Sequence, residues 1–339
     1  VGSMSPPTSL RILFCGSPDF PSALERTRAA LEGEPVEVVS CSREEVNDAC
    51  AKAHLVIPRM TRLTAEAFAS GKDALTSLVM QFGVGLEGVD IAAATAAGVP
   101  VARIESADTG NAASCAEHAV WLILSLLRDG HGCARAFAGG LLGVPEARVL
   151  QGLDVLLVGF GGLGVELARR LNAFGVNLRA VRRKPWDPRM EGYEWLSERG
   201  SLDDTKRMLG TADFVVLVAD QNPTTAGLVG AEFLAEMKAG AFLVNLARAG
   251  LLQRDPIADA LESGRLGGLA SDVGIGYEPF DANDPISKRP NVYITPHIAG
   301  VADASYIKMA EIVATQARRM LRGERPSGVT VVNAQELGW

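Results

Sequence analysis

Residues 154–164, Asp-Val-Leu-Leu-Val-Gly-Phe-Gly-Gly-Leu-Gly, decide how this chain is read. Asp154–Val158 is a short apolar run of the kind that forms a buried parallel strand. Gly159, Gly161 and Gly164 follow with G-x-G-x-x-G spacing. Leu163, Leu167, Ala168, Leu171 and Phe174 then recur at helical intervals, so the glycine loop passes from a strand straight into a helix. Each glycine has its own physical use. Gly159 permits the turn off the strand, Gly161 lets an anion reach the backbone, and Gly164 brings helix and strand close together. The free N–H groups at the start of such a helix, with the positive end of its dipole, favour a pyrophosphate. Phe160, Gly162 and Leu163 complete the candidate loop.

The next strand, Val176–Val181, should end near the ribose of a bound dinucleotide, about 20 residues after the glycines. It ends in Arg182-Arg183-Lys184, with no acidic residue at the tip. Asp or Glu there would bind the 2′-hydroxyl of NAD, whereas a cationic pair suits the 2′-phosphate of NADP. NADP(H) is therefore the expected cofactor and NAD(H) the second choice, with Arg182 ahead of Arg183 as the phosphate ligand.

Composition narrows the class. A chain of 339 residues carries a prior of two domains. Its 33 basic and 40 acidic residues give a net charge of −7, which argues against nucleic acid or an anionic membrane as partner. The apolar run Ala119–Leu127 is too short to span a bilayer. All five cysteines (Cys15, Cys41, Cys50, Cys115, Cys133) fall in the first 133 residues without a C-x-x-C pair. That pattern reads as reduced thiols, with no disulfide framework and no metal site. A cytoplasmic location is the expectation. Val1-Gly2-Ser3 ahead of Met4 reads as a cloning remnant, so a targeting peptide removed upstream would also fit.

Strand and helix patterns alternate along the chain. Strands are expected at Arg11–Cys15, Val36–Ser40, His54–Ile57, Leu78–Gln81, Phe214–Val218, Phe242–Asn245, Leu269–Val273 and Tyr293–Thr295. A helix is expected around Ala23–Leu31, and a last amphipathic one at Met309–Leu321. Residues Ala112–Arg128 read as a long helix, apolar enough all round to cross between domains or to lie in a subunit interface.

Four downstream segments place chemistry at strand ends, which face the ligand crevice in open α/β sheets. Arg248 closes Phe242-Leu-Val-Asn-Leu-Ala-Arg, Asp272 closes Gly267-Gly-Leu-Ala-Ser-Asp, Glu278-Pro279 follows, and His297 lies in Thr295-Pro-His-Ile-Ala-Gly300. Further upstream stand Gln81-Phe-Gly-Val-Gly-Leu-Glu-Gly-Val-Asp90, Ala94-Thr-Ala-Ala-Gly-Val-Pro-Val101 and Asn111-Ala-Ala-Ser-Cys-Ala-Glu-His118. In this order, over roughly residues 55–330, the motifs resemble the D-isomer-specific 2-hydroxyacid dehydrogenase family.

The resemblance implies an α/β fold of two Rossmann-like domains, each with a parallel sheet flanked by helices, and a cleft between them. The substrate-binding domain would be discontinuous, residues 9–111 plus 309–339, and the dinucleotide-binding domain would be 112–308. Arg248, Glu278 and His297 would be the catalytic residues. Asp272 would meet the nicotinamide carboxamide. The physics suits these roles. Arginine's planar, permanently charged fork can bind a carboxylate and polarise the neighbouring carbonyl. Histidine can deliver a proton near neutral pH, and a carboxylate beside it orients the ring. His118, on an apolar helix, reads instead as a satisfied core histidine. Cys115 stands where the family usually has a valine, and reads as a small packing residue.

At the substrate end, Gly83-Val84-Gly85 resembles the family loop whose N–H groups receive the substrate carboxylate, and three small residues suit such close approach. Arg59 and Gln81, at strand ends, are expected at the rim of that site. Two departures stand out: Asp220-Gln221-Asn222 replaces a common Pro-Leu-Thr run, and Gly139–Pro145 lacks a tryptophan found near it in glyoxylate and hydroxypyruvate reductases. The expected reaction is reduction of a small 2-oxo acid, glyoxylate or hydroxypyruvate first, to the D-2-hydroxy acid, by a homodimer. A D-lactate or phosphoglycerate dehydrogenase is the alternative within the family. Formate dehydrogenase fits less well, because Glu278 stands where that enzyme has an amide. A nucleotide-sensing, corepressor-like protein is the alternative outside catalysis.

Overall fold

A computed structural model describes residues 7–68, 74–107, 109–278 and 280–339, so the Val1–Ser3 remnant and Pro279 lie outside the described residues. The chain divides into two compact units, Val1–Asn111 with Ala302–Trp339, and Ala112–Val301.

In the first unit, strands β1 (Leu10–Cys15), β2 (Val36–Cys41), β3 (Leu55–Ile57), β4 (Leu78–Gln81) and β5 (Val101–Arg103) pair in parallel in the order β2-β1-β3-β4-β5. This is the flavodoxin-like doubly wound order, and its switch point falls between β1 and β3. Ile12, Phe14, Leu55, Ile57 and Met80 are fully buried, as expected of strands covered on both faces. The C-terminal helix Asp303–Leu321 packs on helix Pro21–Ala30, and Arg318 ties the two by donating to Glu34 (3.0 Å) and to the Ala30 carbonyl (2.9 Å). The chain thus returns to this unit at Ala302, not at the expected residue 309. Ser305 and Tyr306 already belong to the helix's buried stripe, but their polarity hid its first two turns from periodicity.

In the second unit, all strands are parallel. They are β6 (Asp154–Val158), β7 (Asn177–Val181), β8 (Glu198–Gly200), β9 (Phe214–Leu217), β10 (Ala241–Asn245), β11 (Leu266–Ser271) and β12 (Val292–Ile294), in the order β8-β7-β6-β9-β10-β11-β12. Read from β8, this is the 3-2-1-4-5-6 dinucleotide-binding order with one strand added, and its switch point lies between β6 and β9. The last strand of the chain, β13 (Thr330–Val331), runs antiparallel to β5 at the edge of the first sheet.

Helix Asn111–Arg128 differs from its reading as apolar all round. Ala116, Ala119, Leu122, Ile123, Leu126 and Leu127 join the second unit's core, while Glu117 is exposed and Trp121 is half exposed. A further helix, Gly130–Ala138, was hidden by its glycines; Asp129 caps it by accepting from the Gly132 N–H at 2.8 Å. Among the described residues, no helix is long and apolar enough to cross a membrane, and no cluster of His, Cys, Asp or Glu could hold a metal ion.

Candidate active site

The glycine loop runs from the end of β6 into helix Gly162–Ala173. Gly159 sits at φ 101°, and a Cβ there would come within 2.8 Å of the Ala219 N and Cα beyond β9. Only glycine allows that crossing. Gly161, the helix N-cap, is different: a Cβ there would meet nothing within 4 Å. This open space in front of a helix N-terminus is what an approaching pyrophosphate needs, so these residues fit a dinucleotide. At Gly164 a Cβ would lie 3.2 Å from the Phe160 ring and 3.6 Å from the Gly159 carbonyl oxygen, which explains the close helix–strand contact. Phe160 itself is buried against Trp186.

Arg182 follows β7 directly. Its guanidinium lies 5.3 Å from the centre of the Trp186 ring and donates to the Met190 sulfur at 2.8 Å. Trp186 is fixed in turn by its indole N–H on the Gly200 carbonyl at 2.9 Å. Arg182 is therefore held in place at the strand end, whereas Arg183 and Lys184 are exposed. The stacking partner, four residues downstream, carried no recognisable sign in the sequence. Asp220 is exposed in the loop after β9, and its carbonyl accepts from Thr225 at 2.7 Å.

His297 and Glu278 come together in this same unit, with Nδ1 of the imidazole 3.0 Å from Oε1 of the carboxylate. A carboxylate only accepts, so Nδ1 carries the hydrogen of this bond. Glu278 and His297 side chains are 16% and 28% exposed, which leaves the pair reachable yet partly shielded from water. The His297 backbone is left-handed at φ 55°, uncommon outside glycine. Its N–H is shared between the Asp272 carbonyl (2.7 Å) and the Thr295 carbonyl (3.0 Å).

Asp272 does more than the sequence reading gave it. Strand β11 ends at Ser271, two residues earlier than expected, so Asp272 opens the loop rather than closing the strand. Its Oδ1 accepts from the Thr295 hydroxyl (2.6 Å) and the Ile298 N–H (2.9 Å), and its Oδ2 accepts from the Ala299 N–H (2.8 Å). One buried carboxylate thus holds the segment on both sides of His297. His118 joins it, with Nε2 2.9 Å from Thr295 Oγ1 and 3.4 Å from Asp272 Oδ1. Since the threonine hydroxyl donates to Asp272, the histidine donates to the threonine. His118 is satisfied, as read, but by the network that positions His297.

Arg248 precedes the short turn Ala249–Leu251 and is half-buried, with its Nη1 donating to the Ala247 carbonyl at 2.8 Å. Asn245, wholly buried at the end of β10, clamps this loop: its amide donates to the Arg248 carbonyl (2.9 Å) and its Oδ1 accepts from the Ala247 N–H (3.0 Å). The sequence reading passed over Asn245, although a lone amide closing an apolar strand was a usable sign. Burial pushes the Cys115 thiol up to about 12, with the negative Asp272 adding to it and Arg248 opposing. That agrees with a packing role for Cys115 and places its thiol within electrostatic reach of both residues.

In the first unit, Arg59 corrects the sequence reading. Its backbone turns left-handed at φ 52°, and its guanidinium is spent on the carbonyls of Cys15, Asp19 and Phe20, with the residue only 9% exposed. Desolvation holds it below the usual arginine range. A cation committed to three backbone oxygens at the end of β1 is an internal brace, not a substrate ligand. Gln81 is a brace as well, its amide donating to the carbonyls of Arg59 (2.9 Å) and Gly85 (2.6 Å) and its Oε1 accepting from the Phe82 N–H (3.0 Å). It holds the Gly83-Val84-Gly85 loop, where Gly83 lies at φ 137° and its carbonyl accepts from the Ile104 N–H at 3.0 Å.

Residues 120–299 match the family model described as D-isomer specific 2-hydroxyacid dehydrogenase, NAD binding domain. The chain is 32% identical over 295 residues to a D-3-phosphoglycerate dehydrogenase of Mycobacterium leprae, covering 84% of this chain and 53% of that protein. It is 31% identical over 314 residues to formate dehydrogenase 2, mitochondrial, of Oryza sativa subsp. japonica, covering 88% and 80%. This chain thus spans about half the length of the phosphoglycerate dehydrogenases it matches. Among solved structures, a Granulicella formate dehydrogenase has a TM-score of 0.80 at 26% identity, covering 94% of this chain and 96% of that one. A protein of Thermus thermophilus named TT0316 has a TM-score of 0.78 at 28% identity, covering 95% and 100%.

Proposed function

The chain belongs to the D-isomer specific 2-hydroxyacid dehydrogenase family, and we propose that it reduces a small 2-oxo acid, glyoxylate or hydroxypyruvate first, to the D-2-hydroxy acid with NADPH. The single observation that carries this reading is the His297–Glu278 pair at 3.0 Å, in the unit that also holds the glycine cradle.

A nicotinamide cofactor bound at Gly159–Gly164 would supply the hydride. Arg248 binds the substrate carboxylate and draws charge toward the carbonyl oxygen. His297 holds the proton at Nε2 and delivers it to that oxygen, while Glu278 keeps the ring oriented and balances the imidazolium. Asp272 keeps the histidine loop in place and offers its carboxylate to the nicotinamide amide. In the first unit taken by itself, the N–H groups of Gly83, Val84 and Gly85 are proposed as ligands for an anionic group.

Arg182 supports the preference for NADP over NAD: pinned on Trp186 at the ribose end of β7, it is a fixed cation for a 2′-phosphate. A homodimer is supported by an outward apolar ridge, with Phe137, Leu141, Leu142, Val144 and Val149 each more than half exposed. Relatives bearing the name phosphoglycerate dehydrogenase favour a second reading, oxidation of a phosphorylated D-2-hydroxy acid.

Initial rates with NADPH and NADH against glyoxylate, hydroxypyruvate, phosphohydroxypyruvate, pyruvate and 2-oxoglutarate test the proposal. Fastest turnover with NADPH and an unphosphorylated two- or three-carbon acid supports it. Preference for phosphohydroxypyruvate moves the assignment to the second reading, and nucleotide binding without turnover of any acid refutes the dehydrogenase.

A further inference from the structure

Three cysteines meet in the core of the first unit: Cys15 at the end of β1, Cys41 at the end of β2, and Cys50 at the end of the short helix Val46–Cys50. Cys15 and Cys41 are register partners on neighbouring parallel strands. Strand spacing puts their Cα atoms about 4.8 Å apart, inside the range of roughly 4.4–6.8 Å that a disulfide spans. All three share one buried cluster, and none is in a disulfide.

Buried thiols are ordinarily inert packing. Here two features point further. The first is chemical. Its hydrogen bonds to Cys41 and then Cys50, with burial, hold Cys15 well above the usual thiol range. Cys41 falls below that range, chiefly because it receives the Cys15 S–H; the Gly16 N–H and the Arg59 cation add to this, while desolvation and Glu45 oppose it. Cys41 is also the most exposed of the three, at 7% against 0% for Cys15 and 2% for Cys50. Cys41 is thus shifted toward easier ionisation and Cys15 away from it.

The second feature is mechanical. The Cys15 carbonyl accepts from Arg59 Nε at 2.8 Å, the Arg59 carbonyl accepts from Gln81, and the same Gln81 amide holds the Gly85 carbonyl. Three consecutive hydrogen-bonded links connect the thiol cluster to the Gly83–Gly85 loop.

We propose that Cys41 and Cys15 form a reversible disulfide on exposure to peroxide, and that this bond loosens the Gly83–Gly85 loop through Arg59 and Gln81. The Cys41 thiolate attacks a peroxide oxygen, breaking the O–O bond and leaving a sulfenic acid and a hydroxide, which becomes water by taking up the proton Cys41 lost on ionising. The Cys15 sulfur then attacks the Cys41 sulfur. The S–S bond forms, the S–O bond breaks, and the departing hydroxide leaves as water with the Cys15 proton. Two thiols have lost two electrons and hydrogen peroxide has become two waters. Fixing the two sulfurs in a bond would reset the Cys15 side chain and pull on the end of β1, whose Cys15 carbonyl anchors Arg59. The effect on substrate rests on the proposed reading of the Gly83–Gly85 loop; the disulfide and the loosening do not.

The full chain carrying Cys133→Ser, which removes the exposed thiol, is treated with hydrogen peroxide and digested without reduction for peptide mass spectrometry. The expected result is a Cys15–Cys41 linked peptide that dithiothreitol reverses, with faster amide exchange at Phe82–Leu86. The KM for the 2-oxo acid rises about fivefold or more, the lower end of ordinary coupling between sites, while nucleotide affinity is unchanged. Cys41→Ser keeps untreated activity and loses the peroxide response. No linked peptide, a Cys15–Cys50 link, or a Cys15–Cys41 link without a change in loop exchange each overturns the switch. Mapping and exchange need no turnover, so a protein inactive on every 2-oxo acid would defeat the functional reading and still leave the switch open to refutation.

Discussion

Two glycines of one loop, two residues apart, should respond oppositely to the same added methyl group. At Gly159 an alanine would have to hold φ 101° and place its Cβ 2.8 Å from the backbone N and Cα of Ala219. The backbone strain costs about 1–3 kcal/mol, and forcing a carbon against atoms that cannot swing away costs about 1–3 kcal/mol more. For a unit of this size each kcal/mol lowers Tm by about 2–4 °C, so Gly159→Ala should melt on the order of 10 °C below the parent. At Gly161 the backbone is at φ −119° and a Cβ has no neighbour within 4 Å. Removing a glycine there stabilises by about 0.4–1 kcal/mol through the unfolded chain, so Tm should hold or rise slightly. The methyl stands instead in the path of the pyrophosphate, and a loss of about 1.4–2.8 kcal/mol corresponds to ten- to hundredfold weaker nucleotide binding. Calorimetric unfolding of both variants, with titration of NADPH into Gly161→Ala, checks the pair. A Gly161→Ala protein that binds NADPH like the parent refutes the assignment of that space to the cofactor. A Gly159→Ala protein with unchanged Tm refutes the strain argument.

His297→Ala should lower kcat about 10²–10⁴-fold, as loss of a general acid does, with NADPH affinity nearly intact; normal turnover would remove it as the proton donor. Asp272→Ala deprives Thr295, Ile298 and Ala299 of their common acceptor. Hydrogen bonds to a charged group are worth about 1.5–3 kcal/mol each, so this variant should lose both Tm and kcat, and retention of either would mean the loop stands without the carboxylate. Arg182→Ala should weaken NADPH much more than NADH, and equal losses would discard the 2′-phosphate site. Because burial raises the Cys115 thiol to about 12, only about one molecule in 10⁴ carries the thiolate at pH 8. Iodoacetamide should therefore alkylate exposed Cys133 first, with Cys115 labelling rising only as pH climbs toward 12. Comparable labelling of both at pH 8 would overturn the burial of Cys115.

What the sequence disclosed and what it withheld divide along a physical line. The glycine loop was legible because its constraint is local: φ at Gly159 and the space before Gly161 are properties of a few consecutive residues. Short, wholly apolar runs such as Val155–Val158 were legible for the same reason. Arg59 was misread because a strand end fixes where a Cα lies and says nothing of where a long cation turns. With three carbonyls converging behind β1, the guanidinium went inward, and the left-handed backbone at Arg59 that goes with it has no sign in residue type. Asp272 was assigned too little, since its partners are 23 to 27 residues away and become visible only when β11 and β12 lie side by side. His118 is further still, 177 residues from the threonine it touches. Local periodicity had every reason to file it with the core. The candidate catalytic groups announce themselves by residue type near a strand end; the groups that hold their loops are recruited across the sheet. For this chain the residues most worth mutating after His297 are therefore Asp272, His118 and Asn245. Each one fixes the loop beneath a charged side chain, so losing it should lower kcat through misalignment while leaving the nucleotide cradle at Gly159–Gly164 untouched.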